Sequence, residues 1–199
     1  MVSFLMSCDK ENRELVPLSP TVRAWASFQE GSYWIYQNDS TGTQDSMFVG
    51  YNGTEVYPAA ENPYDVETVN TTITNTEDIL LGFIFAVGIK EIAFEDFGTG
   101  IDYHCAAGFT IESGEVKEEK IIKGYYAWSV KPVSDKEIHG TLYEDVILVE
   151  VNTLDQDGMI VEDILNRFWI SKNNWIIKKT YSNNGKAYSW SLLRKNIIQ

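Results

Sequence analysis

Residues 168–193 alternate with a period of two, and that constrains the fold more than any other feature of the chain. Phe168-Trp169-Ile170-Ser171 leads into Lys172-Asn173-Asn174, Trp175 to Tyr181 leads into Ser182-Asn183-Asn184-Gly185, and Ala187 to Leu193 follows. In the last run Tyr188, Trp190 and Leu192 share one face, and Ala187, Ser189 and Ser191 the other. Side chains two residues apart share a face on a strand and not on a helix. With turn residues at both breaks, the pattern predicts a three-stranded antiparallel meander with one face buried.

The same grammar extends upstream. Ser32 to Gln37 is a β-rich aromatic run, Asn38-Asp39-Ser40-Thr41-Gly42 is turn chemistry, and Gln44 to Tyr51 reads as a second strand. Asn52-Gly53 is the strongest short hairpin signal, so Thr54 to Tyr57 is expected to return, giving a meander over 32–57. Residues 58–65 read as loop and Val66 to Thr74 as a strand. Residues 76–88 fit a capped helix or a buried strand, because an all-round apolar run carries no period; the β character elsewhere tilts the reading to strand. Gly108 to Ile111 and Tyr125 to Val130 read as strands, with Glu112 to Lys123 a charged hairpin end between them. Leu142 to Val151 reads as one long central strand and Asp155-Gln156-Asp157-Gly158 as a turn. Roughly nine short strands and few helices imply a mainly β domain: a single large curved antiparallel sheet, a sandwich or a partly closed barrel.

A chain of 199 residues with 44% apolar content suits one domain, here 21–199. The formal charge of −13 opposes nucleic-acid binding. Charge is segregated. All 29 acids lie in residues 1–163, whereas 164–199 hold no acid and seven bases (Arg167, Lys172, Lys178, Lys179, Lys186, Arg194, Lys195). Cross-strand pairing with acidic neighbours explains this economically; a cationic surface for an anionic ligand is the alternative.

The N-terminus carries a second signal. Leu5-Met6-Ser7-Cys8 has an aliphatic residue three before a cysteine and a small residue just before it, followed by the polar Asp9-Lys10-Glu11-Asn12. It resembles a bacterial lipobox. The resemblance implies cleavage before Cys8, lipid on its thiol, and anchorage to a membrane through that lipid. Val2 to Met6 is short for an apolar signal core and no base precedes it, so residues 1–7 are expected to be a signal remnant. Residues 8–20, charged and carrying two prolines, read as a tether. No apolar run reaches the ~18 residues of a spanning helix. With Cys8 taken by lipid, Cys105 has no partner for an intramolecular disulfide and reads as a small buried hydrophobe. Together with Glu30-Gly31-Ser32-Tyr33-Trp34-Ile35-Tyr36 and the downstream Asp45-Ser46, these residues resemble the lipoproteins of Bacteroidetes-type bacteria. That resemblance covers about a quarter of the chain and implies a location, the outer-membrane-anchored cell envelope, rather than a chemistry. The sheet reading is also similar to lipocalin-like and lipoprotein-carrier folds.

Catalytic constellations are sparse. Asp102 and His104 share a strand face and Cys105 points away, so a metal site needs a distant third ligand such as His139. Neither C-x-x-C, H-E-x-x-H nor G-x-S-x-G occurs, and Gly98-Thr99-Gly100 reads as a turn. No catalytic residue, metal or cofactor is assigned. The adjacent acids Glu118-Glu119, Glu144-Asp145 and Glu162-Asp163 point to opposite strand faces and read as solvated surface. Asp39-Ser40-Thr41 and Asp45-Ser46-Met47 resemble the O-glycosylation acceptor motif of the same bacterial group. The aromatics fill a core or, if exposed, offer Trp34, Tyr36, Trp169, Trp175 and Trp190 as contacts for a ligand such as a glycan. The expected function is a non-enzymatic envelope lipoprotein binding a glycan, lipid or protein partner. The alternatives are a carboxylate-based hydrolase and an accessory subunit of an outer-membrane complex.

Overall fold

The computed structural model describes residues 13–58, 64–75, 80–88, 90–96, 105–183 and 186–198. Among them the chain is mainly strand. It opens with β1 (Glu14–Val16) and a single helix, α1 (Pro20–Ala26). A first meander follows: β2 (Tyr33–Asn38), β3 (Gln44–Pro58), β4 (Tyr64–Thr74), β5 (Leu80–Val87), β6 (Glu91–Asp96), β7 (Cys105–Glu112) and β8 (Glu115–Val116). Next come β9 (Glu119–Lys123) and β10 (Tyr126–Pro132), then a separate small hairpin of β11 (Lys136–Ile138) and β12 (Thr141–Tyr143). A second meander closes the chain: β13 (Val146–Leu154), β14 (Ile160–Ser171), β15 (Trp175–Asn183) and β16 (Lys186–Asn196). β16 returns to pair with β2, which fuses the two meanders into one sheet of fourteen strands. Its order runs β8 through β2 and then β16, β15, β14, β13, β10 and β9, antiparallel throughout except where β1 lies parallel to β4.

The sheet curls on itself without closing into a barrel. Phe94 of β6 meets Phe168 of β14 and Trp175 of β15 edge-on, each at a centroid distance of 5.4 Å. Only two residues, Lys117 and Glu118, separate β8 on one edge from β9 on the other. The edges are bridged by single contacts instead of a ladder. The Trp128 Nε1–H donates to the Gly108 carbonyl at 2.8 Å, and the Thr110 amide donates to the Glu119 carboxylate at 2.9 Å. The account of backbone partners in a closed barrel is here completed by an indole and a carboxylate.

The inner face is the core. Trp34 and Tyr36 alternate inward on β2, Val149 and Val151 on β13, and Ile84 and Ala86 on β5. α1 lies on this face with Val22, Trp25 and Ala26 buried. Its start is set by Ser19, whose Oγ accepts the Val22 amide at 3.1 Å, and by Pro20 in the first turn. Seven residues do not sustain a helix alone, so burial holds it. Trp25 packs edge-on against Phe109 at 5.4 Å, and Arg23 bonds Glu67 of β4 at 2.6 Å.

Several expectations are corrected. Asn52-Gly53 is not a turn: neither residue has the positive φ that the turn needs, and β3 runs on to Pro58 against the long partner β4. The glycine instead makes room for a neighbour, because a Cβ there would run into the Tyr51 ring. The long strand expected over 142–151 is broken at Asp145 (φ 49°), where Tyr143 leaves to pair with Lys136 in the small hairpin. Glu112 to Lys123 is not one hairpin end but the crossing between the two sheet edges. Of the segment 8–20, read as a tether, residues 8–12 lie outside the described ones, and Glu14–Val16 pair with β4, where an open sheet edge at Tyr64–Val66 meets them. Within 76–88 the strand reading holds over Leu80–Val87; residues 76–79 lie outside the described ones.

Candidate functional site

Where the sheet fails to close, it leaves a cleft of about 280 Å³. Trp25 of α1 and Ile147 of β13 lie at its buried floor, Val133 and Val116 line its walls, and Asp145 and Lys172 stand on its rim. The Lys172 ammonium is 3.7 Å from the Asp145 carboxylate, and the Val133 amide donates to the Val146 carbonyl at 2.9 Å, which fixes the wall beyond β10. A second hollow of about 460 Å³ lies on the other side of the Ser113-Gly114 tip and is lined by Ser19, Thr21, Lys90 and Glu112. Both tip residues have positive φ (53° and 88°), which lets β7 reverse tightly into β8 and keeps the tip between the two hollows. The seam cleft thus pairs an apolar aromatic floor with a polar rim, the general constitution of a small-ligand site.

The opposite end of the inner face is polar. Lys179 of β15 is only 5% exposed, and its ammonium lies 5.8 Å from the centroid of the Tyr36 ring. Nearby on β14, Asn166 is 1% exposed, and both polar atoms of its carboxamide lack a hydrogen-bond partner. Register places Asn166 opposite Tyr181 and Lys179 opposite Trp190, so the four share one face across β14, β15 and β16. The Trp190 indole N–H donates to the Tyr181 hydroxyl at 3.1 Å.

Three of the five aromatics read as ligand contacts belong to the core. Trp34, Tyr36 and Trp175 are buried; the Trp34 indole donates to the Asn174 carbonyl at 2.8 Å and the Tyr36 hydroxyl to the Ile176 carbonyl at 2.7 Å. Buried rings present no face to a soluble sugar, so the contact role is withdrawn for these three. Trp169 and Trp190 are half-buried, and Trp169 is overlaid by the Lys136 ammonium at 5.0 Å. Cys8, Asp102, His104 and residues 98–100 lie outside the described residues, as do the side chains of Cys105, Glu162 and Asp163. His139 sits exposed at the β11–β12 turn with φ 49°. Among the described residues no three His, Cys, Asp or Glu side chains gather as a metal site would require. Of the acid pairs, Glu119 holds the Thr110 amide and Asp145 reaches the cleft rim. Asp39 of the first acceptor-like motif is engaged by Lys178 at 2.9 Å and by Ser189. The cleft residues were not legible in the sequence: they come from α1, β8, β13 and the segments around them, and no spacing in the chain marks them.

No protein-family model matches this chain, and no curated protein does either. Among solved structures it is similar to a protein of Parabacteroides distasonis called a "putative lipoprotein", at 13% identity, with 86% of this chain and 98% of that one covered and a TM-score of 0.44.

Proposed function

We propose that this chain is an envelope lipoprotein, fixed to the outer membrane by fatty chains on Cys8, that binds a glycan, a lipid or a segment of a partner protein in the seam cleft without turning it over. The anchor rests on Leu5-Met6-Ser7-Cys8 and the polar residues that follow. The observation that carries the binding role is the unclosed seam. A sheet that nearly meets itself but leaves an indole-floored hollow at the gap keeps apolar area open that closure would bury. Asp135 and Asp145 both line the cleft, which keeps the carboxylate-hydrolase reading in view, since glycoside hydrolysis needs two carboxyls facing one bond. Both are exposed, however, whereas a catalytic acid is raised in pKa by burial.

Val133→Trp tests the reading by filling the cleft from its wall. Wild-type protein screened against arrayed bacterial and host glycans and against lipid-coated beads should retain one class, and the variant, folded by circular dichroism, should lose it. Retention undiminished by Val133→Trp would contradict the cleft as the site. Hydrolysis of the retained glycan, lost in Asp135→Asn or Asp145→Asn, would favour the enzyme instead.

A further inference from the structure

The second edge of β3 is open. β2 pairs with β3 only from Gln44 to Phe48, and the Val49 amide donates to Ser32, whereas β4 follows β3 on its other side as far as Pro58. From Gly50 to Pro58, no strand among the described residues covers the side of β3 that faces away from β4. This stretch is exposed: Tyr51, Val56 and Tyr57 stand 46%, 52% and 48% open. It carries one charge, Glu55. Long, apolar, nearly uncharged edges are templates for strand pairing, and proteins normally guard them. The sheet's other edges are guarded: β8 has two residues, and β9 carries Lys120 and Lys123.

The direction of the free hydrogen-bonding groups follows from one contact. The Glu55 carbonyl faces β4, where the Thr68 hydroxyl donates to it at 3.3 Å. Successive residues of a strand alternate the side to which their N–H and C=O point. Asn52, Thr54 and Val56 therefore turn theirs to the open edge. The register shift between Val49 and Tyr51 makes this consistent with the Val49 amide facing Ser32 on that same side.

We propose that two copies of this chain join antiparallel through this edge, about a two-fold axis at Thr54. In that register Thr54 faces Thr54 of the partner copy, and Asn52 faces Val56 and the reverse, and every one of these residues points N–H and C=O across the join. On one face Tyr51 meets Tyr57 of the other copy, an aromatic cross-strand pair. Glu55 meets Gly53, so the single charge never opposes its own copy. The edge is complementary to itself, which is what an isologous pair requires. The formal charge of −13 on each copy resists association at long range, so added salt strengthens the pair.

Sedimentation velocity on the full chain with Cys8→Ser tests this. A concentration-dependent dimer that tightens with sodium chloride is expected. Thr54→Pro, which removes the N–H on the axis, should weaken it by roughly tenfold or more. Thr54→Cys in a Cys8→Ser, Cys105→Ser background should form an intermolecular disulfide under mild oxidation, and Ile122→Cys on the β9 edge should not; this arm decides the matter if the proline variant fails to fold. A monomer at every concentration and salt overturns the proposal. So does a dimer indifferent to Thr54→Pro, or cross-linking at Ile122→Cys in place of Thr54→Cys. Capture of an extended peptide by β3 while the chain stays monomeric overturns it as well, since the edge then serves a foreign strand.

Discussion

Glu67 ties the N-terminal segment to the sheet. Burial alone would raise its pKa, but the Leu18 amide at 2.7 Å and the Arg23 guanidinium at 2.6 Å outweigh that and hold the carboxyl below its ordinary value. A carboxyl lowered in the folded state contributes stability that is complete above its unfolded pKa, roughly 4.3 for a glutamate, and that is lost as pH falls through the folded value. Urea midpoints measured from neutral to acid pH should therefore fall less steeply in Glu67→Gln than in the wild type. Some slope will persist, because Glu150 is lowered too, chiefly by its bond from Arg167 at 2.7 Å. An unchanged slope would mean that the Arg23–Glu67 contact does not hold α1 in solution. The sequence does not announce this pair, since the two residues are 44 positions apart and meet only through the fold.

At the scale of elements, the seam between β7 and β10 sets what the sheet can do. The Gly108 carbonyl has a buried indole as its donor, and a Cβ at Gly108 would stand 2.6 Å from the Ile92 carbonyl oxygen, so only glycine lets β7 lie this close to β6. Trp128→Phe keeps most of the apolar bulk and removes the N–H. It should cost about 1–3 kcal/mol, the penalty for stranding a buried acceptor, and should speed amide exchange along β7. Unaltered stability and exchange would show that the seam is held by something else. The second meander was legible because its alternation is local: β15 and β16 form where the pattern over 168–193 places them, whereas β14 begins at Ile160, eight residues before the strand that the pattern marked. β1 and α1 were not legible, because three and seven residues hold too little periodic pattern and depend on the edge and inner face that other elements supply. Asn52-Gly53 misled for the opposite reason: a strong local turn signal yielded to ten paired positions between β3 and β4.

At the scale of the molecule, two compositional oddities resolve. The six tryptophans fill or flank the core of a sheet curled around one short helix; four are buried, and Trp169 and Trp190 are partly buried against that core. The basic C-terminal segment finds upstream acids across strands and turns, as in Arg167–Glu150, Lys178–Asp39 and Lys172–Asp145. Lys179 differs from these three cations in its burial. It is buried on the inner face beside Asn166, and no periodicity in the sequence marks either residue as inward and polar. The cleft, likewise, arises from where two distant edges stop short, which is a property of the whole sheet and of no single segment. The placement of this body at the envelope hangs on one sulfur. Mass spectrometry of the protein expressed from its native start in a Bacteroidetes-type host tests it most directly. The account predicts a mature chain beginning at Cys8 with a diacylglyceryl group on its thiol. A free thiol on an uncleaved leader would contradict it.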